Sequence, residues 1–384
     1  MRKTILITLL SLTLACQPVA KPDSPPTITP LSIPSETIAP TQPDLYLTPT
    51  PGYPEEGYGP TDFPPDINPL TGLSAAPSTL DRRPMLIKVS NLPREVRPQF
   101  GLSRADIVYE YYTEEGTTRF IAIYYSQDAE QVGSIRSARF FDEHIIRMYR
   151  GFFVFGSGDE RVRDRLYSAD FADRLIVEWQ AECPALCRPD PVTNYLMADT
   201  VALHEYVREG GISDKRQDLD GMRFRMQIPG GGQSVERIFA WYSAVIYNRW
   251  DYDPPSGRYY RYVDVENAFE GQPEVYKPLR DALGDIPIAA DNLVILLMPH
   301  TFYSESPEIV EMQFYKAGPA YAFRDGQAYD LEWVRENEAG LYSLYTNDGD
   351  VYPFKPGTTW FEVMGLSTKI NKNDRNWRFE MRFP

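Results

Sequence analysis

An α/β or α+β N-terminal domain followed by a mainly-β C-terminal domain is the fold class that this 384-residue sequence predicts. Three observations carry it. Between residues 85 and 209, β-branched and aromatic runs alternate with stretches of helical periodicity. Beyond a Pro-Gly-Gly-Gly break at 229–232, most apolar runs read as strands. Asp325-Gly326 and Asp348-Gly349 sit between such runs, where tight hairpins need residues that accept positive φ. Residues 66–384 exceed what one compact core usually holds, so two domains are expected, 66–229 and 230–384.

The N-terminus reads as an address. Arg2 and Lys3 precede an apolar core from Ile5 to Leu14, and Ala15-Cys16 supplies a small-residue cleavage point. Residues 1–15 therefore form a secretory signal peptide. Cys16 directly after the small residue resembles a bacterial lipobox, although Thr13 stands where that motif usually has Leu. The resemblance implies acylation of Cys16 and attachment to the membrane through an N-terminal lipid; ordinary secretion with an incidental cysteine is the alternative. Residues 17–65 contain fourteen prolines and set one lysine against six acids. With few large aliphatic side chains to offset ordering entropy, residues 16–65 are expected to be a disordered, partly polyproline-II tether. At ~3.1 Å per residue it would reach on the order of 150 Å.

In the first domain, MLIKVSN (85–91), ADIVYEYY (105–112), TRFIAIYYS (118–126) and FFVFGS (152–157) read as strands bounded by turn residues. Arg139 to Arg150 places Phe141, Ile145, Met148 and Tyr149 at helical spacing. Asp159 to Ser168 and Thr200 to Glu209 also read as helices, the second capped by Asp199 or Thr200 and stopped by Gly210-Gly211. The triple glycine then makes a hinge. After it come VERIFAWYSAVIYNRWDYD, GRYYRYVDV, NLVILLMPHTF, EIVEMQFY, AYAFRDGQAYDLEWVR and TTWFEVMG, and the chain ends on WRFEMRF, which alternates Trp377, Phe379, Met381 and Phe383 against polar residues.

Composition narrows the function. The net charge is −15; +2 on the first sixteen residues and −5 on residues 17–65 leave −12 on the rest. Without a Lys/Arg-rich block, nucleic acid is not expected as a partner. His144, His204 and His300 stand far apart with no metal-ligand spacing, so neither a metal nor a cofactor is expected. GSGDE (156–160) lacks the full nucleophile-elbow pattern and reads as a strand-to-helix turn capped by Ser157 or Asp159. No catalytic residue is assigned. Cys183 and Cys187, four residues apart in a Pro-containing loop, read as a local disulfide outside the cytoplasm, with a reactive thiol as the alternative. Glu110, Glu114 and Glu115 form an acidic cluster, either an acid/base pair or the ion-pair partners of nearby arginines.

The motif that asks for an explanation is GSIRSARFF (133–141). If Ser137 caps a helix over 138–150, Arg136 precedes the cap and Arg139 falls in its first turn, where the helix dipole disfavours cations. Arg136, Ser137 and Arg139 together offer only donors, a cradle for an anionic ligand. The other reading is internal pairing with Glu110, Glu114, Asp142 or Asp159.

NPLTGL (68–73), RPQFGLSRADIVYEYYTEEGTTRFIAIYYSQ (97–127) and GSIRSAR (133–139) resemble the N-terminal half of the YerB-type lipoproteins, bacterial envelope proteins built on a two-part domain of unknown function. Arg136, Ser137 and Arg139 match the family motif, and Ser134 stands where the family more often has Pro. YYRYVD, DNLVIL, YAFRDGQ, LEWVR and KPGTTWFEV resemble the accompanying C-terminal domain. The resemblance implies a lipid-anchored, extracytoplasmic protein in the cell envelope and a domain boundary near 230, and no established activity. Three functions stay open: binding of an anionic envelope ligand, an enzyme acting on a phosphorylated or glycan envelope polymer, and an assembly factor that docks an envelope protein.

Overall fold

The computed structural model describes residues 52–189 and 195–382. Cys16, the signal segment and residues 17–51 of the expected tether lie outside them, as does Phe383. The N-terminal region mixes strands with short helices, and the C-terminal region is mostly strands. No helix among the described residues is long and apolar enough to cross a membrane, which says nothing of spanning strands.

One eleven-stranded sheet runs through both regions. Its order is Gln233–Ser234, Gln327–Arg335, Lys316–Arg324, Asn292–Met298, Thr359–Gly365, Ile107–Tyr112, Thr118–Tyr124, Met85–Ser90, Phe152–Phe155, Leu175–Val177, with Ser343–Tyr345 beside Gln327–Arg335. The join between the regions is the strand Thr359–Gly365, which pairs parallel with Asn292–Met298 on one side and with Ile107–Tyr112 on the other. A second, seven-stranded sheet contains Arg237–Trp241, Tyr247–Asp253, Arg258–Asp264 and the C-terminal hairpin Lys369–Asn373 and Asn376–Glu380. It packs on the first through Trp250 against Trp360 and through Trp377 and Phe379 against Tyr321 and Phe323.

Alternation along Ile107–Tyr112 decides what each side of the sheet carries. All six residues are buried. Tyr109 and Tyr111 turn toward the helix Phe141–Tyr149 and meet Phe141 and Tyr149 there. Glu110, between them, faces the second sheet.

That orientation builds a wholly buried polar hub. The Arg261 guanidinium binds Glu362 through Nη1 at 2.9 Å and Glu110 through Nη2. Asn91 Nδ2 and Thr118 Oγ1 donate to Glu110 at 3.0 and 2.7 Å. Trp250 Nε1 and Tyr242 Oη donate to Glu362, each at 2.9 Å. Glu110 and Thr118 come from the N-terminal region, Arg261 and Glu362 from the C-terminal one. Charged groups in such a place are tolerated only because each is paired and hydrogen-bonded.

Three expectations need correction. The tether does not extend to residue 65: Tyr58 exchanges backbone hydrogen bonds with Phe224 (2.9 and 2.8 Å), and Tyr53 and Phe63 pack on the core. Gly57, at φ +78, lies so close to the Phe224 carbonyl that no side chain fits there. Second, the helix begins at Phe141, four residues after Ser137, and its N-cap Phe140 makes no side-chain bond. Asp142 reaches back instead and accepts from the Arg139 backbone N–H at 2.7 Å. Third, the glycine stretch is a turn strapped to the sheet and not a free hinge. Tyr329 donates to the Pro229 carbonyl at 2.8 Å, and Gln233–Ser234 joins the edge of Gln327–Arg335.

Elsewhere local signals and structure coincide. Asp199 caps the helix Thr200–Glu209, Asp159 caps Glu160–Tyr167, and Asp325-Gly326, both at positive φ, close the hairpin between Arg324 and Gln327.

Candidate functional site

On the helix-facing side of the sheet, cationic residues collect at one corner. Antiparallel register sets Ser90, Arg119 and Tyr111 side by side across three strands, and Lys88 lies two residues before Ser90 on the same face. The irregular segment 134–140 crosses over this corner. It is fixed there because the Arg136 N–H donates to the Lys88 carbonyl at 3.0 Å and the Ser90 N–H to the Ser134 carbonyl at 2.8 Å.

The cations of the corner differ in how they are satisfied. Lys88 is fully buried; its ammonium donates to Asp142 Oδ1 at 2.9 Å and to Tyr111 Oη, above whose ring it sits at 3.9 Å. Burial outweighs the attraction of Asp142 and lowers the Lys88 pKa to about 7, with Arg119 and Arg139 adding like charge. Burial likewise raises Asp142 against the opposing pull of Lys88.

Arg119 and Arg139 share Glu114. Arg119 donates to Glu114 Oε1 at 2.7 Å and to the Ser137 carbonyl at 2.8 Å. Arg139 binds both carboxylate oxygens, its Nε at 2.6 Å from Oε2 and its Nη2 to Oε1. Burial pushes Glu114 up, yet the hydrogen bonds of Arg139 and the charge of Arg119 hold it below the usual carboxylate range. Burial, with the charge of Arg139, lowers Arg119 to about 10.

Arg136 is placed differently. Its Nε donates to the Ser90 hydroxyl at 3.1 Å, and no carboxylate among the described residues reaches it. Burial, then the neighbouring charge of Arg188, lowers its pKa, the condition of a guanidinium short of counter-charge.

The structure thus brings the three sequence-derived site residues together and separates their roles. Arg139 is an internal tie, Ser137 contributes a carbonyl to Arg119, and Arg136 has no acid on its terminal nitrogens among the described residues. Cleft space of about 480 Å³ opens beside the corner, lined by Leu92, Arg94, Glu114, Thr117 and Arg119 among others. The Ser90 hydroxyl that holds Arg136 donates to the Leu92 carbonyl of that wall at 2.6 Å.

Lys88, Tyr111 and Arg119 were not picked out from the sequence. Lys88 had a signal, a lone charge inside the apolar run MLIKVSN; Arg119 had none.

The remaining candidates lie apart. Cys183 and Cys187 bring their sulfurs to bonding distance, with Cα atoms 4.8 Å apart. His144 accepts no metal-like company: its ring lies against the Met312 carbonyl and Arg335, and burial lowers its pKa to about 4. His204 contacts Asp214 at 2.9 Å. Among the described residues no group of His, Cys, Asp and Glu is arranged to hold a metal ion.

The chain belongs to a two-part family of unknown function: residues 70–196 match the N-terminal domain, and 238–361 the C-terminal domain, of the "Protein of unknown function (DUF3048)" family. The two matches fall on either side of the 229–232 break. The chain is similar to "Putative lipoprotein YerB" of Bacillus subtilis (strain 168), 26% identical over 320 residues that cover 77% of this chain and 85% of that protein. The crystal structure of YerB from Bacillus subtilis shares the fold, with a TM-score of 0.66 and 23% identity over 78% of this chain and 96% of that one.

Proposed function

We propose that this protein is a lipid-anchored, extracytoplasmic binding protein whose folded body takes an anionic group of an envelope ligand at Arg136. The anchor rests on the lipobox-like Cys16 and on the relative whose name is that of a lipoprotein. The observation that supports the binding reading is an imbalance of charge. Lys88, Arg119 and Arg139 are tied to two carboxylates, Asp142 and Glu114, and among the described residues no acid pairs with the neighbouring Arg136. An anionic ligand would complete the set through charge-assisted hydrogen bonds. Arg119 and Arg139 stiffen the site through Glu114, which keeps the corner formed before a ligand arrives.

Lys88 is the one group here with the shifted pKa of catalytic lysines. Its side chain is wholly enclosed, so it has no route to a substrate, and binding is preferred over catalysis.

Two measurements test the reading. Mass spectrometry of the mature N-terminus is expected to find an acylated Cys16, and an unmodified start downstream would remove the anchor. Thermal melts with and without phosphate-bearing wall fragments are expected to show ligand stabilisation in the wild type that Arg136→Ala loses. A large drop in the unliganded melting temperature of Arg136→Ala, with no ligand response in either protein, would make Arg136 a structural residue.

A further inference from the structure

Resting on that reading, we propose that Arg188 is a second binding cation of the Arg136 site, held on Glu178 until an anion displaces that carboxylate, and that the Cys183–Cys187 loop positions it. The placement comes from a small three-stranded sheet. Its middle strand, Met197–Ala198, pairs antiparallel with Val132–Gly133 on one side and with Leu186–Cys187 on the other. Gly133 and Cys187 therefore stand across from each other with Met197 between them. Both outer strands run against the middle one, so they run parallel to each other and leave the sheet by the same end. Arg188 follows Cys187 directly, and Arg136 follows Gly133 by three residues. The Ile135 N–H, which donates to the Leu196 carbonyl at 2.8 Å, carries the pairing on toward Arg136. The motifs GSIRSAR and AECPALCR hold the two arginines, and only the strand Met197–Ala198 brings them to one end of a sheet.

The two guanidiniums act on each other: Arg188 is the cation whose charge adds to burial in lowering the Arg136 pKa. Arg188 differs in having an acid. It donates to both oxygens of Glu178, through Nη2 at 2.7 Å and through Nε. Each side chain of this pair is 35% exposed, so water screens the attraction and an arriving anion displaces Glu178 at little cost. Two guanidinium forks address more acceptor oxygens than the two of a carboxylate, which one fork satisfies, and the pair therefore favours a phosphoryl group.

The loop that delivers Arg188 is fixed on both sides of its disulfide. The Leu186 N–H donates to the Glu182 carbonyl and the Asp199 N–H to the Ala185 carbonyl, each at 3.1 Å, while Ala185 and Leu186 are buried. Cys183 lies at the surface, open to attack by a thiolate. A dithiol reductant would form a mixed disulfide at Cys183 and release the Cys187 thiolate; its second thiol would then free Cys183 and close the reductant's own disulfide. That exchange removes the covalent closure that immediately precedes Arg188.

Isothermal titration of the purified mature protein with inorganic phosphate and with acetate, at low ionic strength, tests this. The wild type is expected to prefer phosphate to acetate. Arg188→Ala should weaken phosphate binding about tenfold, the worth of one charge-assisted hydrogen bond, and Arg188→Lys less, because Lys keeps the charge without the fork. Glu178→Gln should act in the opposite direction and tighten phosphate about threefold, since it removes the competing carboxylate of an exposed pair. Glu182→Gln, which removes from the same loop an acid that binds no cation among the described residues, should leave the affinity unchanged and so separates competition from a general change of charge. Dithiothreitol should weaken phosphate binding by the wild type and have no further effect on Arg188→Ala; unchanged affinity on reduction overturns the positioning role of the disulfide. Arg136→Ala reports the underlying reading. Three results overturn the second cation and leave that reading intact: binding lost in Arg136→Ala but within about twofold of wild type in Arg188→Ala, equal tightening by Glu178→Gln and Glu182→Gln, or no preference for phosphate over acetate. No phosphate binding by the wild type, or equal binding by Arg136→Ala, overturns both.

Discussion

Glu110 is the residue through which the two regions feel pH, and Glu110→Gln is the perturbation that exposes it. The hub puts two carboxylates, Glu110 and Glu362, on one guanidinium, and both are fully buried. Burial, with Glu362 nearby, raises the Glu110 pKa from an ordinary 4.5 to about 8 against the pull of Arg261. At neutral pH the folded hub therefore holds a proton that the unfolded chain has released. The proton has an acceptor within reach. Asn248 Nδ2 lies 3.3 Å from both carboxylates while its Oδ1 is buried without a partner. Turning the amide over presents Oδ1 to a protonated Glu110, and the two amide orientations are equivalent in shape.

The sign follows from linkage. Between the unfolded pKa of 4.5 and the folded value of about 8 the native state binds more protons, so this group's stabilisation is complete below 4.5 and is lost as pH rises through 8. Each pH unit inside the window costs roughly 1 kcal/mol, and the whole effect is roughly 3 kcal/mol between pH 5 and pH 8. His144 and His300, both lowered to about 4, act in the opposite direction below pH 6.5, and Lys88, lowered to about 7, does so above pH 7. All three are common to both proteins, so the difference between wild type and Glu110→Gln isolates Glu110. Urea unfolding from pH 5 to 8.5 is the assay. Wild type should lose stability relative to Glu110→Gln as pH rises, whatever the offset between them. Parallel curves would refute a shared proton in the hub.

Arg139→Ala is expected to lower stability by about 1–2 kcal/mol in urea unfolding, because Glu114 keeps only Arg119, whereas Arg136→Ala should stay within about 0.5 kcal/mol of wild type. Fragments 52–229 and 233–384, made separately, should each lack a cooperative thermal transition and regain one on mixing, since dividing the chain exposes the facing edges of Ile107–Tyr112 and Thr359–Gly365 and separates Glu110 from Arg261. Cooperative melting of either fragment alone would show that the shared sheet is dispensable. Thiol titration under non-reducing, denaturing conditions should find Cys183 and Cys187 unreactive, and their reduction should cost about 2 kcal/mol for so short a loop.

Local chemistry determined much of this protein in advance. β-Branched and aromatic runs bounded by turn residues marked Met85–Ser90 and Thr118–Tyr124, Asp325-Gly326 marked the hairpin within 320–335, and a cap at Asp199 or Thr200 with a Gly-Gly stop marked Thr200–Glu209. These signals are legible because strand pleat, helix pitch and capping act within a few residues. The first sixteen residues carried the expected address for the same reason. Pairing between distant strands was not legible. Nothing local in IVYEYY says that its neighbour is TWFEVMG, some 250 residues later, because backbone hydrogen bonds between strands are nearly indifferent to sequence and register is set by what both faces must bury. Glu110 was legible only as part of an acidic cluster and Lys88 was not picked out, and their partners, Arg261 with Glu362 and Asp142 with Tyr111, come from elements that only the closed sheet brings together. Arg136 and Arg139, three residues apart in one motif, looked equivalent. The turn after Tyr112 delivers Glu114 to Arg139 and, among the described residues, no acid to Arg136, a division of roles fixed by where a β-turn ends in space.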